Sequence, residues 1–163
     1  PMLNVRDWAP APRVPPTRVV FDTSARLPLG SRLVQTAREE PTAVVCWAPD
    51  PSHAAALEHA GVTLVHAATL ADALVALKGI GLGSLLVEGG AALATSFLQE
   101  SLVDRLIIFR APIILGGDSL NAFGGLPPET LGTAKRWRVV DTRRFGDDEM
   151  TVYEPPDAGA GAI

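Results

Sequence analysis

Between residues 18 and 99 the chain alternates short apolar, β-branched runs with stretches that have helical spacing. A helical stretch follows each strand-like run, and these runs are RVVFD, TAVVCWA, VTLVHA and SLLVEGG. Strands joined by crossover helices lie parallel, and a parallel sheet needs helices on both of its faces. The alternation therefore predicts an α/β fold with a mainly parallel central sheet and helices on both faces.

Several helix boundaries are also marked in the sequence. Pro51 occupies a first-turn position, where its missing N–H costs nothing, and Thr69 is an N-cap candidate for a later helix. Three leucines of that later helix are spaced to form one buried face: Leu70, Leu74 and Leu77. The helices should thus pack on the sheet through these apolar faces.

The pattern changes after residue 102. DRLIIFRAPIILGG is a long strand-like run with no helix behind it, and two alternating strands follow around a turn at residues 145–148. The Gly- and Pro-rich segment between them is typical of a loop. We therefore expect one domain over residues 1–154 that ends in an antiparallel C-terminal hairpin, and a disordered tail over residues 155–163.

Composition excludes several function classes. The net charge is −4, and no cluster of Lys or Arg offers a site for nucleic acid. No apolar run approaches the roughly 18 residues that span a membrane, and the N-terminus has no signal-peptide pattern. The single cysteine, Cys46, is expected to be a buried thiol, which suits a cytoplasmic protein. The spacing of His53, His59 and His66 does not favour a metal site.

A candidate ligand site lies where the strand-like run over residues 85–88 meets the next helix. Gly89 and Gly90 allow the backbone to turn tightly and to approach a ligand, and the small residues that follow leave room for a phosphate. Glu88 would repel a pyrophosphate, so it is expected to face a second ligand that carries N–H groups. The glycines do not follow the G-x-G-x-x-G spacing, so an ordinary strand-to-helix turn remains an alternative.

Several separated motifs occur in order along the chain. The string LLVEGGAALATSFLQESLVDRLIIFRAPIILGG contains a V-E-G-G turn, an L-V-D triplet, and a strand ending in A-P and L-G-G. It resembles the signature of the reductase domain of bacterial riboflavin-biosynthesis deaminase/reductase proteins. PMLNVR and RVVFDTSARLP resemble two further segments, so the resemblance runs from Pro1 to about Tyr153. It implies a dihydrofolate-reductase-like fold and NADPH-dependent reduction of 5-amino-6-(5-phosphoribosylamino)uracil to the ribityl form.

The resemblance also implies roles for particular residues. Leu3, Arg6 and Glu88 would contact the substrate, a phosphorylated ribosylaminopyrimidine, with Arg6 pairing with its phosphate. Thr23 and one continuous segment would bind NADPH, the segment being Gly90, Ala91, Ala92, Leu93, Ala94, Thr95 and Ser96. No catalytic acid is assigned, because water can supply the proton. Relatives are typically homodimers, and the apolar strands near the C-terminus are expected to form that interface.

Some family motifs are absent from this sequence. The K-x-A-x-S-x-D-G-type first strand and the substrate-binding segment after it are not present, so we expect the reductase domain to lack its N-terminal strand and helix. The H-x-E and P-C-x-x-C zinc motifs are absent too, so neither a metal nor deaminase activity is expected. Two alternatives stay open: a related NADPH reductase acting on a pterin- or pyrimidine-like substrate, and an inactive dinucleotide-binding fragment.

Overall fold

The computed structural model describes residues 2–5, 7, 9–10, 12–126 and 134–156. The chain divides into two compact units, Pro1–Leu86 (unit 1) and Val87–Ile163 (unit 2). None of the helices formed by the described residues has the length and hydrophobicity needed to span a lipid bilayer. The tail predicted over residues 155–163 lies outside the described residues from position 157 onward.

Unit 1 is an alternating α/β structure. Its elements are β1 (Arg18–Phe21), α1 (Arg32–Gln35), β2 (Thr42–Cys46), α2 (Pro51–His59), β3 (Thr63–His66) and α3 (Leu70–Gly79). The three strands form one parallel sheet in the order β1-β2-β3, with Val20 opposite Val44 and Val44 opposite Leu64. The predicted α/β class and the parallel sheet are therefore confirmed.

The core of unit 1 lies on both sides of its central strand, β2, which is buried along its whole length. Val44 and Cys46 belong to one apolar cluster with Leu57 of α2. The residues that alternate with them belong to a second cluster with Ala73 and Leu77 of α3. Because side chains on a strand alternate between its faces, this arrangement places helices on both faces of the sheet, as predicted.

The predicted helix boundaries are confirmed at α2 and α3. Asp50 caps α2 by accepting a hydrogen bond from the His53 N–H (2.9 Å), and Thr69 caps α3 by accepting one from the Asp72 N–H (3.1 Å). The hydrogen bond from the Ser52 hydroxyl and that from the His53 backbone hold the pKa of Asp50 below its ordinary value. Each cap satisfies an N–H that the first turn leaves without a partner.

The cysteine prediction is also confirmed, since Cys46 is only 1% exposed. Its sulfur lies 3.9 Å from Nδ1 of His66. Burial raises the pKa of the Cys46 thiol, and the negative charges of Asp22 and Glu58 raise it further. The thiol therefore stays protonated near neutral pH and is not an activated nucleophile.

Unit 2 combines one helix with an antiparallel sheet. Its elements are α4 (Ala91–Gln99), β4 (Leu106–Arg110), β5 (Arg138–Phe145) and β6 (Asp148–Glu154). The sheet has the order β4-β6-β5, and β5 and β6 form a hairpin that turns at Gly146. The predicted antiparallel C-terminal hairpin is confirmed.

Three predicted elements differ from the structure. The helical stretch predicted after RVVFD, SRLVQTAR, forms a helix only to Gln35. There the Thr36 hydroxyl bonds back to the Arg32 carbonyl (2.8 Å) and competes with further helical turns. The long strand-like run after residue 104 forms a strand only to Arg110, because Pro112 cannot donate to a strand ladder.

The third difference concerns the residues before the candidate site. Residues 85–88 were predicted to form a buried strand, but they form no strand, and Leu86 is 74% exposed. A strand exists only through pairing with a neighbour, and these residues pair with none in the described chain. Four glycines flank the run, two on each side within five residues, and their conformational freedom weakens any tendency to stay extended.

Candidate functional site

The predicted glycine turn forms the start of α4. Gly89 and Gly90 have φ angles of 142° and 81°, which side-chain-bearing residues rarely adopt. Gly90 is the N-cap residue, and no side chain caps the helix there. The first N–H groups of α4 therefore have no partner within the helix, and a Cβ added at Gly90 would meet nothing within 4 Å. An uncapped helix start with open space before it suits an anion.

The residues predicted to hold the cofactor, Gly90 to Ser96, are brought together at this helix start. Within α4, Thr95 is 3% exposed and Phe97 is 4% exposed, so both side chains are buried. The Ser96 hydroxyl donates to the Ala92 carbonyl (3.1 Å). The part of the segment that is available to a ligand is therefore its backbone at Gly90–Ala92 rather than its Thr95 side chain.

The Thr95 side chain instead binds the loop at residues 124–125 to α4. Its hydroxyl accepts a hydrogen bond from the Gly124 N–H (2.9 Å), and the Gln99 amide donates to the Gly125 carbonyl (3.1 Å). A Cβ added at Gly124 would lie 3.7 Å from the Cβ of Ala91, so the loop passes beside the first turn of α4. Sequence reasoning missed this contact, because nothing local links residues 29 positions apart.

The other predicted site residues fall in different places. Glu88 is exposed and directly precedes the glycine turn in unit 2. Thr23 follows β1 in unit 1, where its carbonyl accepts hydrogen bonds from the Trp47 N–H (2.9 Å) and the Ala48 N–H (3.1 Å). It therefore lies at the carboxyl ends of the parallel strands, where ligands bind in such sheets. Leu3 is half-buried in unit 1, and Arg6 lies outside the described residues.

No group of three or more His, Cys, Asp or Glu side chains in the described residues is arranged to hold a metal ion. Of the three histidines, His53 is engaged with the protein itself, since its Nε2 lies 3.0 Å from the Leu27 carbonyl oxygen.

A buried arginine centre at the base of the parallel sheet was not found from the sequence. Arg18 is 2% exposed, although it begins the apolar strand β1. Its guanidinium donates to four acceptors, the hydroxyls of Thr36 (2.8 Å) and Thr42 (2.6 Å) and the carbonyls of Leu33 (3.1 Å) and Glu40 (2.8 Å). Its Nη1 also lies 3.0 Å from the Glu40 carboxylate. The sequence signal that could have revealed this centre is Thr42, a polar residue at the start of an apolar strand that pairs with Arg18 in the strand register.

Comparison with known proteins identifies the family. The family model described as the RibD C-terminal domain matches residues 1–151. This chain belongs to the RibD C-terminal domain family. It is 31% identical over 160 residues to the riboflavin biosynthesis protein RibD of Actinobacillus pleuropneumoniae, a match that covers 94% of this chain and 42% of that protein. The resemblance inferred from the motifs is thus confirmed.

Two further relatives define the extent of the similarity. The chain is 31% identical over 158 residues to the 2,5-diamino-6-ribosylamino-4(3H)-pyrimidinone 5′-phosphate reductase of Methanothermobacter thermautotrophicus, covering 94% of this chain and 72% of that protein. The solved structure of Acinetobacter baumannii RibD (form 2) superposes with a TM-score of 0.80 at 26% identity, covering 94% of this chain and 42% of that one. The RibD C-terminal domain fold is therefore confirmed, and the chain spans less than half the length of these RibD proteins.

Proposed function

We propose that this RibD C-terminal domain uses NADPH to reduce 5-amino-6-(5-phosphoribosylamino)uracil to its ribitylamino form in riboflavin biosynthesis. The observation that carries the proposal is the uncapped, glycine-lined start of α4, which lies where the family resemblance puts the cofactor. The names of the relatives support the same class of reaction, since they describe riboflavin biosynthesis proteins and a pyrimidinone phosphate reductase.

The residues of this chain would act by binding and alignment. The first N–H groups of α4 would hold a phosphate of the cofactor, and Thr23 would contribute a further contact. Arg6 would pair with the phosphate of the substrate, and Glu88 would accept hydrogen bonds from the amino or ring N–H groups of the pyrimidine. Bound NADPH would supply the hydride for the opened ribose carbon, and no side chain is assigned as the proton donor. The protein's contribution is to align the two reacting carbons and to exclude bulk water.

A second candidate is reduction of the corresponding 2,5-diaminopyrimidinone, which carries an amino group on the ring where the uracil has a carbonyl. The observation that favours it is the similarity to the Methanothermobacter reductase, most of whose length this chain covers. Glu88 suits either substrate, because a carboxylate can accept hydrogen bonds from an exocyclic amino group as well as from a ring N–H.

We expect NADPH to bind more tightly than NADH and to be oxidised in the presence of the phosphorylated uracil substrate. The test follows nicotinamide fluorescence while each nucleotide is titrated, and then measures turnover with the uracil and with the diaminopyrimidinone. Faster turnover of the diamino compound would select the second candidate. Binding without turnover of either pyrimidine would identify a dinucleotide-binding fragment, and no binding of either nucleotide would refute the cofactor assignment.

We also propose that the domain forms a homodimer through its antiparallel sheet. Phe109 and Phe145 are 66% and 56% exposed, and their ring centroids lie 6.2 Å apart on one face of that sheet. Exposed apolar patches of this kind mark interaction sites. Sedimentation equilibrium should give twice the monomer mass, whereas a monomer at micromolar concentration would contradict the proposal. A cytoplasmic location and the absence of nucleic-acid and membrane partners stay predictions from composition.

A further inference from the structure

Glu40 connects the buried arginine centre to the N-terminal segment. One oxygen of its carboxylate, Oε2, lies 3.0 Å from Nη1 of Arg18. The other, Oε1, accepts a hydrogen bond from Nδ2 of Asn4 at 3.2 Å, across 36 positions of sequence. A single carboxylate therefore joins a strand of the sheet to a segment that lies outside any helix or strand.

The arginine end of this connection is rigid. The Arg18 side chain is fully buried, and its N–H groups are held by backbone carbonyls and by hydroxyls that are themselves fixed. The Thr36 hydroxyl, for example, also donates to the Arg32 carbonyl (2.8 Å). The Glu40 carboxylate accepts no hydrogen bond from the guanidinium through Oε2, and the fixed positive charge of Arg18 attracts it as an ion pair. The buried Arg18 guanidinium thus provides a fixed positive charge on one side of the Glu40 carboxylate, and Asn4 lies on the other side.

The segment at the other end needs such an anchor. Leu3 has a φ angle of 49°, in the left-handed region that a branched side chain rarely adopts. Backbone in this region persists only where the surroundings hold it. Among the described residues of the segment, the hydrogen bond from Asn4 to Glu40 is the one side-chain bond that ties residues 2–5 to the sheet. Its loss should therefore release the backbone on both sides of Asn4.

We propose that Glu40 and Asn4 are positioning residues for the substrate, acting through the backbone of residues 3–5. The inference rests on the proposed function, in which Leu3 and Arg6 contact the phosphorylated pyrimidine. Asn4 directly follows Leu3 in sequence, so holding the Asn4 side chain holds the backbone that positions Leu3. NADPH binding, assigned to Thr23 and α4, does not depend on this connection.

Substitution of Asn4 tests the proposal. Asn4→Ala should raise the KM for the pyrimidine about tenfold, the equivalent of losing one hydrogen bond to a charged group, with kcat and the Kd for NADPH nearly unchanged. Asn4→Asp, which keeps the shape but replaces the donor with a second carboxylate, should raise KM at least as much. Thr36→Val is the matched control, because it removes another partner of Arg18 (2.8 Å) that has no contact with the segment. It should leave KM unchanged.

Hydrogen exchange tests the anchoring role of Asn4 independently of the proposed function, because it does not require turnover. In Asn4→Ala, amides of the N-terminal peptide should exchange faster while those of β1 keep their protection. Absence of turnover in the native chain would count against the proposed function, and the exchange rates would still show whether Asn4 anchors the segment. Unchanged exchange together with an unchanged KM would overturn the positioning role. An equal rise in KM in Thr36→Val would overturn it as well, because it would show a general loosening of the arginine centre.

Discussion

Arg18→Met should lower the free energy of unfolding by about 3 kcal/mol, the cost expected when one partner of a buried ion pair is removed. The substitution keeps most of the apolar stem but removes the charged donor to the Thr42 hydroxyl and to the Leu33 and Glu40 carbonyls. The single Thr42 hydroxyl proton can serve only one of the two carbonyls, so a partly or fully buried acceptor is left without a donor. The Glu40 side chain is 28% exposed, so water compensates its loss in part. Urea-induced unfolding, followed by circular dichroism, measures the change.

The chain offers a matched control for this change. Arg38 is an exposed arginine of the same unit whose guanidinium makes one hydrogen bond, to the His59 carbonyl. Arg38→Met should therefore cost no more than about 0.5 kcal/mol. If the two variants proved equally stable, the arginine centre would not be the stabilising feature described above. A double variant, Arg18→Met with Glu40→Leu, should lose less than the sum of its single substitutions, because no charge is then left unpaired.

Gly90→Val should weaken NADPH binding by about 100-fold or more. The new side chain would occupy the open space before α4 and block close approach of a phosphate to the first N–H groups, each worth about 1.5–3 kcal/mol to a charged ligand. The φ angle of 81° adds a cost of about 1–3 kcal/mol to folding, because valine adopts this conformation poorly. Fluorescence titration with NADPH measures the first effect and urea unfolding the second.

Gly81→Val separates the loss of binding from the loss of stability. Gly81 has a φ angle of 93°, and a Cβ added there also meets nothing within 4 Å, but it follows α3 rather than preceding α4. We expect the same cost to folding and no change in the Kd for NADPH. Equal affinity of the two variants for NADPH would place the cofactor away from the start of α4.

The parts of the fold that the sequence predicts well are those decided by neighbouring residues. The Thr69 cap lies three positions from the N–H group that it satisfies, and the burial of β2 follows from an unbroken apolar run. The glycine turn before α4 is similarly local, because a positive φ depends on the residue itself. These features were therefore predictable from short windows of sequence.

The features that the sequence did not predict depend on distant partners. The run Leu85–Glu88 has a strand-like composition, but pairing decides whether a strand forms, and no short window contains that information. In the sequence Arg18 resembles an ordinary polar residue at the start of a strand, because its acceptors lie 15 to 24 positions away. The substrate contacts of Leu3 and Arg6 are implied by the family resemblance and not by any local pattern of residues.

The burial of Cys46 makes the native chain a convenient background for site-specific labelling. A protonated thiol that is 1% exposed should not compete for a maleimide under native conditions. A single cysteine introduced at Ile114, which is fully exposed, would then carry a dye or spin label without removal of the natural residue. The mobility of the chain at that position thus becomes measurable with one substitution.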